Sequence, residues 1–275
     1  MLMFPASVSL KKLIQHQFIN MRGYIPPQNS EENIFVKKIV RILELAQGIG
    51  NVQFTLFMDL RQQQLFLAQA NRYPDVNVKL VCGYNGYGER MLAVIYPEYI
   101  DFENISLPIV VIRTKLADNS LSHKDFLGAA MSLKIDRDYI GDIIVKDKEA
   151  FIVCHKNVAD ILAEELTGVK HSSTKFEIWD MPLEYVKEYS ETRTTTVASL
   201  RADSVVAAAL NKSRTEAVKL IKQGNVKVNQ MDILHTDFEI FDNDVISIRY
   251  NGKYKIFCDG AKSRKDRIFI NIAKY

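Results

Sequence analysis

The chain is expected to fold as an α+β protein of three successive modules, and three observations lead there. Residues 107–180 alternate strand-like and helix-like stretches in the order β-α-β-β-α-β, the ferredoxin-like arrangement. After residue 199 the pattern changes to two short helices followed by several short strands, a separate small α+β domain. Before residue 106 two amphipathic helices precede two strands, an N-terminal α/β region. The expected boundaries are a flexible extension over 1–32, the N-terminal region over 33–105 and the ferredoxin-like module over 106–181. A linker over 182–198 and the small domain over 199–275 complete the chain.

The elements follow from local chemistry. In 33–46, Ile34, Val36, Ile39, Val40, Ile42 and Leu43 recur at helical intervals, and Gly48 closes the stretch. Over 59–72, Leu60, Leu65, Phe66 and Ala70 predict a second helix. NVKLVCG and RMLAVIYP read as strands around GYNGYG, whose glycine spacing and following strand make it a hairpin tip rather than a dinucleotide loop. On that tip Tyr84, Tyr87 and nearby Arg90 could stack on a base. LPIVVIRTK is strand-like, and SHKDFLGAAMSL is a helix capped by Ser122 with Asp125 three residues on. IGDIIV, the charged turn KDKE and AFIVC make a hairpin; Asn157 is placed to cap a helix ending near Gly168, and KFEIW closes the module. RNA-recognition domains share this order, but topology alone does not assign function. Phe151 and Phe176 are its candidate stacking aromatics, with Phe151 reading better as core. The stretch 182–199 reads as a linker or crossing strand.

Bulk properties narrow the function. With 47% hydrophobic and 25% charged residues, the chain has the composition of an ordinary globular protein. Residues 193–275 hold 15 Lys and Arg against 9 Asp and Glu, whereas the rest holds 21 against 24, so a cationic end for a polyanion joins a near-neutral body. Cys82, Cys154 and Cys258 are odd in number and widely spaced, which excludes a disulfide scaffold and a zinc knuckle and fits a reducing cytosol. No apolar run reaches the roughly 20 residues of a membrane span. The start MLMFPASVSLKKLIQHQFINMRG lacks acidic residues, so an organellar transit peptide competes with a plain extension in which Met21 is the true start. The expectation from these properties is a cytoplasmic protein.

The stretch NKSRTEAVKLIKQGNVKVN (211–229) places five cations in one helix-turn-strand unit. Ser213 and Glu216 form a capping box, and Ala217, Leu220 and Ile221 form an apolar arc with Lys219 and Lys222 opposite. Lys212 precedes the helix on that flank. Arg214 sits in the first turn, where a cation opposes the helix dipole and where a planar donor fork would suit phosphate. Gly224 then turns the chain into NVKVN, bringing Lys227 and the Asn229–Gln230 turn beside the polar flank.

RAD…SRTEAVKLIKQGNVKVNQ…NDVISIR resembles the S4 RNA-binding domain, with Ala202, Gln230 and Asn243 departing from the usual Leu, Gly and Gly. The resemblance implies that Arg201, Ser213 and Arg214 face RNA, with Lys219, Lys222 and Asn229 nearby. Lys212, Thr215, Lys227 and Gln230 complete the candidate RNA-binding set. MDLRQQQL, CGYNGYGERMLAVIYP and LSHKDFLGAAMSLKIDRDYIGDIIV are similar to the YlmH family of bacterial S4 proteins, which includes the photosystem II S4 domain proteins. That resemblance implies a non-catalytic RNA-binding protein with a second RNA-binding domain in the middle. It further implies rRNA or tRNA as partner, association with the large ribosomal subunit carrying peptidyl-tRNA, a part in rescuing stalled translation, and a proposed link to cell division.

No cofactor or metal site is expected. Cys154 and His155 are adjacent on a strand and point to opposite faces, His123 lies in a first helical turn, and Asp136, Asp138 and Asp142 read as cap and turn residues. KYKIF and AKSRKDR could assist the RNA clamp, the latter reading equally as a charged hairpin turn. The competing functions are an RNA-modifying enzyme of the pseudouridine synthase or methyltransferase type, and an interaction module of division or photosynthetic assembly.

Overall fold

The computed structural model describes residues 25–85, 88–117, 120–185 and 189–275. The chain divides into two compact units between residues 186 and 187.

In the first unit, helix α1 (Ser30–Ile49) begins at the cap Asn29, whose side chain accepts from Glu32 N–H. It starts earlier than expected because its polar first turn carries no apolar periodicity. Helix α2 (Leu60–Ala70) has a full capping box between Asp59 and Gln62. Glu32 and Arg61 tie the two helices' starts together through a bidentate ion pair at 2.8 and 3.0 Å. Strands β1 (Gln53–Phe54), β2 (Val76–Val81) and β3 (Leu92–Pro97) form an antiparallel sheet in the order β1-β3-β2.

The next elements are β4 (Ile109–Lys115), α3 (His123–Ser132), β5 (Ile140–Lys146), β6 (Glu149–His155), α4 (Lys156–Glu165), the small hairpin β7 (Gly168–Val169) and β8 (Ser172–Ser173), and β9 (Glu177–Ile178). The sheet order β5-β6-β4-β9, antiparallel throughout, is that of a ferredoxin-like fold. The β5–β6 turn uses Asp147 and Lys148, both at positive φ (51° and 62°), the geometry that a two-residue hairpin demands. The Asp125 carboxylate accepts from the Ser122 N–H and hydroxyl, as the capping pattern predicts. The cap of α4 is His155 rather than Asn157: its Nδ1 accepts from the Asn157 N–H, so the helix starts sooner.

Strand alternation assigns the two faces of this sheet to different cores. Ile112, Ala150, Ile152 and Cys154 pack against α3 and α4. Val111, Ile144, Phe151 and Val153 pack instead against Phe57, Leu92 and Val94 of the N-terminal region. Ala93 and Ile95, pointing the other way from β3, meet Ile39, Leu43 and Phe66 of α1 and α2. The N-terminal and middle regions are therefore one four-layer unit, helices–sheet–sheet–helices, rather than two independent modules. Close approach is visible at Gly141, where a Cβ would lie 2.9 Å from the Phe57 ring.

The second unit contains β10 (Glu191–Val197), α5 (Ala202–Leu210), α6 (Arg214–Lys222), β11 (Val226–Val228), β12 (Met231–Asp232), β13 (Val245–Ile248), β14 (Gly252–Phe257) and β15 (Ile268–Lys274). One antiparallel sheet runs β10-β15-β14-β13-β11-β12. The second half of the stretch expected as linker or crossing strand contains β10, which pairs along its whole length with β15. Its Thr-rich sequence alternates without a strongly apolar face, the weak signature of an edge strand. The FEI stretch contributes only an isolated bridge, Arg201 to Glu239.

Candidate nucleic-acid interface

The first structural requirement of this surface is that α5 and α6 end where they do. Asn211, at φ 53°, closes α5 with bonds from Lys212 N–H to Ala207 O (3.0 Å) and Asn211 N–H to Ala208 O (3.2 Å). The guanidinium of Arg193 on β10 donates to the Ala208 and Ala209 carbonyls, placing a cation at the helix's negative end. Helix α6 closes in the same manner at Gly224 (φ 69°), with Asn225 N–H bonded to Leu220 O and Gly224 N–H to Ile221 O. Ala217 and Ile221 are buried, so Thr215, Lys219 and Lys222 form the exposed stripe, one turn apart.

At the start of α6, Ser213 Oγ accepts from the Glu216 N–H at 3.2 Å, and Glu216 Oε2 accepts from the Ser213 N–H at 3.1 Å. Bonds from the Ser213 backbone and hydroxyl, and from Lys212, hold the Glu216 carboxyl below its ordinary pKa. An anion therefore already sits over the helix start. Ser213 serves the cap, and the expected phosphate site at this N-terminus is filled by the chain's own carboxylate.

The arginines are organised by Asp203, a residue outside the expected set. Its side chain is 4% exposed, and Oδ2 accepts from Arg214 Nη2 at 2.8 Å and from Arg201 Nη2 at 3.3 Å. Burial pushes the Asp203 pKa up, but the bonds from Arg201 and Arg214 outweigh it and leave the group below its ordinary value. Arg201 and Arg214 remain 42% and 57% exposed, so one buried carboxylate pins two guanidiniums that still face solvent. This accounts for a cation in the first turn of α6, which the helix dipole alone disfavours.

The other cations divide into two groups. Lys212 reaches Glu216 at 3.4 Å and Lys227 reaches Asp232 at 3.2 Å, both as exposed pairs. Lys219 and Lys222 make no ion pair with a described residue.

Asn229 lies inside rather than on the surface. It is 5% exposed, with Nδ2 donating to Asp244 Oδ1 at 2.7 Å and Oδ1 accepting from the Val245 N–H at 2.8 Å. Asp244 also accepts from the Phe241 N–H, so this pair locks two turns together. Asn229 (φ 48°) and Gln230 (φ 70°) form the two-residue β11–β12 turn, and Asn243 (φ 65°) occupies the other position where the S4 pattern has Gly.

The secondary candidates in the first unit are committed to its packing. The Tyr84 hydroxyl donates to Asp142 at 2.7 Å, and Arg90 donates to the Phe57 carbonyl at 2.7 Å and Asp138 at 3.0 Å, so neither serves as a base platform. Burial and the Asp142 charge raise the Tyr84 pKa, and burial raises that of Asp142. Tyr87 lies outside the described residues. Phe151 and Phe176 are 7% and 5% exposed and belong to the core. Within AKSRKDR, Lys262 pairs with Asp266 and Arg267 donates to Thr196, so part of the run braces its turn. Among the described residues no group of three or more His, Cys, Asp or Glu could hold a metal, and no helix is long and apolar enough to cross a membrane.

Two short helices against a small sheet, with a glycine exit from a cation-bearing second helix, define an S4-type RNA-binding domain, and residues 200–230 match the family model "S4 domain". Residues 97–183 match "Putative RNA-binding domain in YlmH". The chain thus combines a region that matches the YlmH RNA-binding domain with one that matches the S4 domain. A similar protein is the "Ribosome-associated protein quality control protein P2" of Bacillus subtilis (strain 168). It is 28% identical over 240 residues, which cover 86% of this chain and 93% of that relative. A solved structure, "Cell division protein ylmH from Streptococcus pneumoniae", aligns with a TM-score of 0.46 at 20% identity, over 57% of this chain and 96% of that one.

Proposed function

We propose that this chain is a non-catalytic, cytoplasmic protein that docks on structured rRNA or tRNA at the large ribosomal subunit and serves quality control of stalled translation. The observation that carries the reading is the α5–α6 surface. There a buried carboxylate holds Arg201 and Arg214 outward, while Lys219 and Lys222 project from the adjacent stripe. Pinned guanidiniums suit phosphate oxygens, and such backbone contacts position a protein on folded RNA without reading its sequence. The ribosome association named for the Bacillus subtilis relative supports the ribosome as the place where that RNA is met.

Co-sedimentation with purified ribosomal subunits tests it. The protein is expected to travel with the large subunit and to dissociate as salt rises from about 50 to 200 mM. A Lys219→Gln, Lys222→Gln variant should be released at lower salt. Absence of any large-subunit association at the lowest salt overturns the reading, as does equal binding by the variant.

A further inference from the structure

The cationic stripe of α6 leads, beyond Gly224, to the tip of the β13–β14 hairpin. Arg249 N–H donates to Asn225 O at 2.9 Å, which ties the tip to the residue that follows the Gly224 exit. On the other side of that exit stands Leu234, 60% exposed and 3.9 Å from where a Cβ on Gly224 would lie. From Arg214 to Lys222 the helix is about 12 Å long at its ordinary rise. The pinned arginines, the two lysines and the hairpin tip thus follow one another along one helix.

The tip holds its shape through its own bonds. Asn251 N–H donates to Ile248 O at 2.9 Å, the Asn251 amide donates to Arg249 O at 2.9 Å, and the Tyr254 hydroxyl donates to Asn251 O at 2.9 Å. Between them Tyr250 has φ 65°, a left-handed conformation that strains a bulky residue and suits Asn or Gly. The other non-glycine residues described at positive φ are Lys, Asp, Asn and Gln, and Tyr250 alone is aromatic. Packing does not account for the ring, which is 91% exposed, more than any other large apolar side chain among the described residues. The Arg249 guanidinium lies 5.1 Å from its centroid. Arg249 is itself exposed and makes no ion pair with a described residue. A strained backbone that keeps a ring in water, with an arginine beside it, fits a contact made only in a complex.

We propose that the Arg249–Tyr250 tip completes the α5–α6 RNA surface, with Tyr250 stacking on an unpaired base and Arg249 meeting the adjoining phosphate. The inference rests on the α5–α6 reading and adds a preference to it. Lysines on phosphates hold any duplex, whereas a ring finds a base face only where pairing is interrupted. The RNA class selected is therefore a helix broken by a bulge or an internal loop.

The test measures fluorescence anisotropy of the full chain with two labelled RNAs, a blunt duplex of about twelve base pairs and the same duplex with one unpaired adenosine. Wild type should bind the bulged duplex more tightly. Tyr250→Asn should lower that affinity about tenfold and leave the blunt duplex little changed. Its Tm should equal or exceed that of wild type, because Asn tolerates the left-handed backbone. Tyr250→Phe keeps the ring and should keep the preference. Arg249→Gln should lower the salt slope of bulged-duplex binding by about 1. The proposal is overturned if wild type shows no preference, if Tyr250→Asn binds the bulged duplex unchanged, or if that variant loses affinity together with Tm. In each of these cases the α5–α6 reading stands as long as Lys219→Gln with Lys222→Gln weakens both duplexes. Unchanged binding of both by that helix variant overturns the α5–α6 reading and this extension with it.

Discussion

Replacing Asp203 by Asn keeps the side chain's shape and removes the charge that holds Arg201 and Arg214. A hydrogen bond to a charged group contributes about 1.5–3 kcal/mol when water is excluded. Both arginines here are roughly half exposed, so solvent competes and each bond is worth a fraction of that. We expect a loss of about 1–2 kcal/mol, or a fall in Tm of about 4–16 °C for a cooperative unit of this size. The folded-state pKa of Asp203 is depressed, so the unfolded chain binds the proton more readily as pH falls. The stabilisation is therefore complete above the unfolded carboxylate range and is lost as pH falls through the folded pKa. Thermal unfolding of wild type and variant should differ by the full amount at pH 7, begin to converge below about pH 4, and coincide only once pH has fallen through the folded pKa. RNA affinity gives a second readout with opposed terms. The variant gains net positive charge, which favours RNA, but frees two side chains whose immobilisation costs about 0.5–1.5 kcal/mol each. A several-fold loss of affinity despite the added charge identifies Asp203 as a positioning residue. An unfolding difference that is absent at pH 7, or independent of pH, refutes the reasoning.

Four further outcomes follow from the same geometry. Lys219→Gln with Lys222→Gln should leave Tm unchanged and lower the salt slope of duplex RNA binding by roughly 2 in log–log titrations, if both lysines meet phosphates. Arg193→Ala strips the donor from the last carbonyls of α5 and should cost about 1–2 kcal/mol in denaturant unfolding. Gln230→Gly relieves a left-handed residue and should stabilise by about 0.5–1 kcal/mol after the added unfolded-state entropy of Gly, seen as a higher Tm. Phe151→Ala should cost about 3–5 kcal/mol, because the ring fills the layer between two sheets; a mild effect on stability with a large one on RNA binding would instead make it a stacking residue.

What the sequence disclosed and what it hid divide along the range of the interactions. The boxes Ser122–Asp125 and Ser213–Glu216 close within three residues, and the pattern alone locates them. Gly224 and the Asp147–Lys148 turn are legible for the same reason. Strand β10 was legible only as a linker or crossing strand, since its partner β15 lies some seventy to eighty residues away and its own residues show no apolar face. The cationic stripe of α6 was legible as a helical spacing, whereas Asp203 was not, because its burial depends on Arg214 arriving from the next helix, eleven residues on. Asn229 misleads for a related reason. A polar residue in a turn reads as exposed, but its partner Asp244 comes from a turn fifteen residues later and encloses it.

The covered ferredoxin-like sheet restricts how the YlmH domain can meet RNA. RNA-recognition domains splay bases across an open sheet, and that requires one sheet face without a protein partner. Here Val111, Ile144, Phe151 and Val153 are all under 10% exposed on the face in question, and Leu92 and Val94 opposite them are fully buried. Uncovering that face would expose the apolar layer between two sheets, a cost that stacking two or three bases at about 1–3 kcal/mol each does not clearly offset. RNA that touches this domain must then approach its helices or strand ends. There Lys115 closes β4, Lys146 closes β5, and Lys148 sits in the β5–β6 turn, all exposed at one end of the sheet. Crosslinks from the domain should fall on peptides containing those lysines and not on β6; crosslinks at Phe151 or Val153 would mean that the two sheets separate on binding.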